Sequence, residues 1–152
     1  MSCRYGVYAN GQVILEYWVG SLDKPTIIEQ EQKQSLDPSI ASSYQVLAHC
    51  KNCQFDLFKG DITDIVEALH QQGSSRAQRV AFYLDTEQES QFEHIHQYSS
   101  EGWSSGVEIM IFFSLDSACA WLELDATNVK EKFIELKNEA QNMGLTSHEL
   151  QT

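Results

Sequence analysis

Two apolar runs, Val80-Ala-Phe-Tyr-Leu84 and Val107-Glu-Ile-Met-Ile-Phe-Phe113, limit the fold more than anything else in the chain. They are too short for buried helices. They are also too continuous for strands with one wet face, so each has to be covered on both sides. Between them, residues 87–99 read as a helix with Phe92, Ile95 and Ser99 facing inward. Strand, helix, strand is the unit that joins parallel strands.

The same alternation extends in both directions. Tyr5–Tyr8 and Val13–Val19 are strand-like and flank Ala9-Asn10-Gly11-Gln12, where Asn-Gly signals a hairpin. In the second of these strands Val13, Leu15, Tyr17 and Val19 point one way, and Ile14, Glu16 and Trp18 the other. Residues 20–25 read as a turn, and residues 26–35, rich in Glu and Gln, as a short helix that ends before Pro38. Tyr44–Cys50 reads as a strand and residues 51–60 as a loop. Asp61 is placed to cap a helix running to Gln72, with the stripe Ile62, Ile65, Val66, Leu69 and a stop at Gly73. Residues 74–78 form a polar connection, and residues 100–106 a Gly/Ser loop that carries Trp103. Ser114 caps a helix striped by Leu115, Ala118, Cys119 and Leu122. A last helix, residues 128–143, turns Val129, Phe133, Leu136 and Ala140 inward and stops at Gly144. The expected architecture is α/β: a mainly parallel, mixed sheet opened by an N-terminal β-hairpin, flanked by helices, with an extra C-terminal helix. One domain over residues 1–145 and a flexible tail over 146–152 account for the 152 residues.

Charge narrows the function classes. The chain carries 10 Lys and Arg against 22 Asp and Glu, a formal net charge of −12. Such a surface repels nucleic acid and anionic membrane. The densest basic cluster, Lys130, Lys132 and Lys137, interleaves with Glu131, Glu135 and Glu139 and reads as a solvated helix face. No apolar run reaches the ~20 residues of a membrane span. The opening Met-Ser-Cys-Arg-Tyr-Gly lacks the apolar region of a signal peptide. A cytoplasmic location is therefore expected, with Cys3, Cys50, Cys53 and Cys119 reduced.

Three motifs invite chemistry. His49-Cys50-Lys-Asn-Cys53 offers an imidazole and two thiols, enough for part of a zinc site or a redox pair. A structural zinc site needs a further ligand pair, so ordinary reduced cysteines are expected and no metal. His94-Ile-His96 has i, i+2 spacing, which on a helix does not share a face. Gly102-Trp-Ser-Ser-Gly106 lacks the strand-to-helix context of a nucleophile elbow. No phosphate loop is present, and no cofactor is expected.

The element order, the opening hairpin, and the segment Gly106-Val-Glu-Ile-Met-Ile-Phe-Phe-Ser-Leu-Asp-Ser-Ala-Cys-Ala-Trp-Leu122 resemble the STAS-like superfamily, in particular its small stand-alone proteins related to anti-sigma-factor antagonists. The resemblance spans roughly residues 4–124. It implies a non-enzymatic regulatory or scaffolding domain acting through protein–protein contacts, with a homodimer compatible. The family's phosphorylatable antagonists carry an Asp-Ser-Ser-Gly type motif at a helix start. The matching place here is Gly60-Asp61-Ile62-Thr63-Asp64, without the serine pair. Asp61 and Asp64 already put fixed charge there, so a constitutive partner-binding surface is expected at Asp61, Thr63 and Asp64. Trp103, a tryptophan in a Gly/Ser loop, is an added anchor because exposed aromatics concentrate binding energy. Two other classes stay open: a small-ligand carrier or sensor with its pocket between sheet and helices, and a minor thiol redox protein using Cys50 and Cys53.

Overall fold

The computed structural model describes residues 2–70, 76–103 and 106–143, with the side chains of 70, 76, 102 and 103 outside that description. Strands β1 (Cys3–Tyr8), β2 (Val13–Leu22), β3 (Ser43–Phe55), β4 (Arg76–Tyr83) and β5 (Glu108–Phe112) form one sheet in the order β1-β2-β3-β4-β5. β1 and β2 pair antiparallel, and every later neighbour is parallel. Helices α1 (Lys24–Ser35), α2 (Asp61–His70), α3 (Glu89–Trp103), α4 (Leu115–Leu122) and α5 (Ala126–Asn142) cover it. The α/β sheet opened by a hairpin, with a closing α5, is the architecture the sequence implies.

The hairpin loop takes positive φ at Ala9, Asn10 and Gly11. Gly11 is required there twice over. Its φ is +88°, and a Cβ would run into the Ser39 carbonyl oxygen, because the Ala41 N–H donates to the Gly11 carbonyl at 2.9 Å.

The alternation read in β2 sorts the molecule into two cores. Val13, Leu15, Tyr17 and Val19 join Leu47, Ala81 and the buried stripes of α4 and α5. Ile14 and Trp18 join Val46, Ala48, Val80, Phe82 and Ile95 on the side of α1 and α3. The α5 stripe is Val129, Phe133, Leu136 and Ala140, all buried. α2 packs mainly on α1 and α3, where Ile62, Ile65 and Val66 meet Ile27, Leu57 and Tyr98.

Several boundaries differ from the sequence reading. α1 starts at Lys24 because Asp23 caps it, accepting from the Thr26 N–H at 3.0 Å, and Pro25 is tolerated in the first turn. β3 does not end at Cys50. Tyr17 pairs with His49 and Val19 with Asn52, so a bulge sets Cys50 and Lys51 opposite Trp18 and the strand continues to Phe55. The Gln88 side-chain amide donates to the Cys50 and Cys53 carbonyls, at 2.9 and 3.2 Å, and holds the bulge. Residues 76–78 belong to β4 rather than to a polar connection. α3 runs through residues 100–103, so Trp103 sits on a helix end and not in a loop. Asp61 is the first residue of α2 and does not act as its cap: its carboxylate accepts from the Phe58 N–H at 2.8 Å. The stops at Gly73 and Gly144 and the 146–152 tail lie outside the described residues.

Candidate functional site

α1 is an odd helix to find against a sheet. Its sequence, Lys-Pro-Thr-Ile-Ile-Glu-Gln-Glu-Gln-Lys-Gln-Ser, has almost no apolar stripe. Its inward positions are Ile27, Gln30, Glu31 and Gln34, and both glutamines are buried. α2 in turn is carried by α1 and α3 rather than seated on the sheet. The space left between α1, α2, α3 and the strands is a cavity of about 170 Å³. Its walls are mostly apolar: Trp18, Val46, Val80 and Phe82 from the sheet, Ile62, Ile65, Val66 and Leu69 from α2, Ile95 and Tyr98 from α3.

Into this apolar space the chain places two carboxylates. Glu16 is only 5% exposed and occupies an inward position of β2. Gln34 donates to one of its oxygens at 2.6 Å and the Trp18 indole N–H to the other at 3.1 Å. Glu31 reaches the same cavity from α1 with no hydrogen-bond donor or cation on it among the described residues. Burial, with the repulsion of Glu16 added, pushes the Glu31 carboxyl up to about 8; burial pushes Glu16 upward too, against its two donors. Tyr44 is raised to about 12 by burial and by the two glutamates, and Tyr98 is raised for the same reasons. Among the described residues no Lys or Arg lines the cavity, though His94 does; Asp37, which accepts from Tyr5 at 2.7 Å and from Ser39, lies in the same wall.

The surface residues singled out by sequence sit on the roof of this cavity. Lys24 of α1 pairs with Asp64 at 2.9 Å and with Asp61 at 3.7 Å. Thr63 donates to Glu101 of α3 at 2.7 Å. Asp61, Thr63 and Asp64 are thus brought together, and they tie α2 to both of its supports. Trp103 ends α3 two residues beyond Glu101, and its side chain lies outside the described residues. Phe58, 78% exposed, precedes this turn.

The cysteine motif divides. Neighbouring strand residues face opposite sides of a sheet, so His49 packs among Tyr17, Tyr83 and Phe133 under α5 while Cys50 faces α1–α3. The bulge returns Cys53 to the side of Cys50. Both thiols are buried, and burial pushes the Cys50 thiol well up, which works against thiolate chemistry. Among the described residues no three His, Cys, Asp or Glu side chains converge as a metal site, and His94 and His96 diverge on α3, one lining the cavity and the other exposed. No described helix is long and apolar enough to cross a membrane.

Sequence reasoning missed the carboxylate pair. Glu16 did leave a signal, a lone acid in an inward position of a strand buried on both faces. Glu31 left none, because a polar helix gives no inward stripe to read.

No protein-family model and no curated protein matches the sequence. Among solved structures, the chain is similar to an uncharacterised protein of the DUF3478 family, with a SpoIIAA-like fold, from Shewanella loihica PV-4. The identity is 15% and the TM-score 0.52, over 80% of this chain and 94% of that one. It also aligns with the anti-sigma factor antagonist SpoIIAA in its unphosphorylated form, at 9% identity and a TM-score of 0.41, over 80% of this chain and 98% of that one. The fold of this chain is SpoIIAA-like, which is to say STAS-like.

Proposed function

We propose that the protein is a non-enzymatic regulatory domain that works by binding: it holds a small ligand beneath α1–α3 and offers the outside of the same helices to a protein partner. The observation that carries the reading is the cavity of about 170 Å³ under α2. A core that served stability alone would close such a space, since unfilled volume costs roughly 24 cal/mol per Å³. The ligand half develops the sensor class left open by the sequence. The cavity's thiol, Cys50, is pushed up by burial, which works against nucleophilic thiol chemistry there.

The partner half rests on surface chemistry. Exposed aromatic residues concentrate binding energy, and Phe58 stands next to the acidic turn of Asp61 and Asp64. Because that turn ties α2 in place, a change in the cavity and a change at the surface share one element. Asp61, Thr63 and Asp64 remain the proposed contact residues, with Trp103 as a further anchor, and no serine phosphorylation is invoked.

Two measurements on protein isolated from its native host test this. Native mass spectrometry should find a bound organic molecule; pull-downs should recover one partner set with wild type and Thr63→Ala. A bare protein would remove the ligand half. A partner kept by Thr63→Ala, lost by Thr63→Glu, and accompanied by phosphate on Thr63 would replace the constitutive surface with a switch.

A further inference from the structure

We propose that the cavity under α2 takes a small organic cation, a protonated amine on a body of about one ring, with its ammonium group between Glu31 and Glu16. This deepens the ligand-binding half of the proposed function and rests on it.

Size sets the body. An engineered apolar cavity of about 150 Å³ stays dry and takes up benzene, so about 170 Å³ fits one ring or a short branched chain, not a lipid tail or a nucleotide. The walls agree: Trp18, Val46, Phe82, Ile95 and Leu69 offer apolar and aromatic surface, and Trp18 and Tyr98 provide faces that attract cations.

Charge sets the head group. Among the described residues the acidic groups on the lining are Glu16, Glu31 and Asp37, no Lys or Arg lines the cavity, and His94 of α3 is the basic side chain in its wall. Asp37 is already supplied by Tyr5 and Ser39, and Glu16 by Gln34 and Trp18. Glu31 has neither a donor nor a cation on it among the described residues. Glu31 is half-buried, and a carboxyl set in an apolar wall without a protein partner is costly to keep; three kinds of ligand answer it differently. An anion adds repulsion. A neutral ligand fills the volume and offers Glu31 at most an uncharged hydrogen bond. An ammonium group supplies two or three charge-assisted hydrogen bonds and compensates both glutamates at once. A metal ion would need more oxygen ligands than this pair offers, since calcium takes six to eight. The raised carboxyl of Glu31 points the same way, because a cation beside it would restore the charged form that burial disfavours.

The test uses the full chain and three ligands of one shape: benzylamine, benzyl alcohol and benzoate. Isothermal titration calorimetry is run at neutral pH on wild type and on Glu31→Gln, which keeps the side-chain shape. Benzylamine should bind wild type at least tenfold tighter than benzyl alcohol, and benzoate should be weakest. Glu31→Gln should bring benzylamine down to the level of benzyl alcohol while benzyl alcohol binding stays as in wild type, which also shows that the variant is folded. Equal binding of amine and alcohol by wild type, or benzylamine binding unaffected by Glu31→Gln, overturns the cation inference while leaving a binding cavity in place. Absence of binding by all three overturns the cavity as a ligand site and the inference with it.

Discussion

The two faces of the sheet are built from the same strands and solve opposite problems. Under α4 and α5 the inward positions are apolar: Leu15, Leu47, Ala81, Phe133 and Ala140 pack together, Tyr17 and Cys119 are buried with them, and the half-buried His49 is wrapped by Tyr17, Tyr83 and Phe133. A second cavity, on this face and of about 300 Å³, is lined by Tyr8, Val13, Leu15, Val129 and Leu124, with Lys132 and with Asp125, the cap of α5. Under α1–α3 the sheet is just as apolar, but α1 turns glutamines and Glu31 inward and α2 is held off the strands by ties to its neighbours. Both faces leave space, but the first sets it beside Lys132 and an aspartate already engaged as a cap, and the second sets it around two glutamates. The second sets unpartnered polarity and free volume together, which calls for an occupant.

Large-to-small changes should separate the faces most. Phe133→Ala opens a hole in the α4–α5 face and should cost about 3–5 kcal/mol by chemical denaturation. Equal stability of the variant and wild type would show that this face is not tightly packed.

A matched pair in β4 sharpens the contrast. Ala81 is fully buried toward α4 and α5, whereas Ala77 lines the cavity. Ala81→Val should overpack and cost about 1–3 kcal/mol. Ala77→Val should stay within about 0.5 kcal/mol of wild type or stabilise it. Comparable losses at both positions would mean the α1–α3 face has no room.

The faces should also titrate in opposite directions. His49 is pushed down to about 4 from 6.5 by burial, so the unfolded chain binds more protons between those values and stability is lost as pH falls through that window. Glu31 is raised from 4.5 to about 8, so the folded chain binds more protons there and stability is lost as pH rises from 4.5 to about 8. The contributions of His49 and Glu31 oppose each other up to about pH 6.5, where that of His49 ends and that of Glu31 continues. Over the roughly 1.5 units to pH 8, at about 1.4 kcal/mol per unit, wild type should lose up to about 2 kcal/mol relative to Glu31→Gln. Parallel pH profiles for the two proteins would contradict the assignment.

The smallest effect belongs to the ties on the roof. Lys24→Ala removes partly exposed ion pairs to Asp61 and Asp64 and should cost no more than about 1 kcal/mol. The same change should speed hydrogen exchange in α2 while leaving α5 as it was. Unchanged exchange in α2 would show that the pairs do not hold it.

How much of this was legible in the sequence follows the same division. The α5 stripe and the two-sided alternation of β2 were readable because side chains on a packed face repeat with the period of their element. The bulge after Cys50 was not, since a polar Lys51-Asn52 pair looks like a loop until Asp85 and Tyr17 are seen to take its side chains. α3 was read short because Ser99-Ser100-Glu101-Gly102 is a weak helix former that tertiary contact keeps helical, with Glu101 bonded to Thr63. Asp61, Thr63 and Asp64 were found as a cluster, but their partners Lys24 and Glu101 lie 37 to 40 residues away along the chain, beyond any local pattern. Glu31 was hidden for the reason that makes it interesting: a helix that covers a cavity instead of a core needs no apolar stripe.

The state of the Glu31 carboxyl is the most direct test of the open, acidic face. Carbonyl carbon NMR on protein labelled at glutamate, with Glu31→Gln to assign the resonance, follows that group alone. A titration midpoint near 8 is expected in the free protein, shifted downward when benzylamine is added. A midpoint near 4.5, unmoved by the amine, would show a solvated surface carboxylate and would contradict the account at its centre.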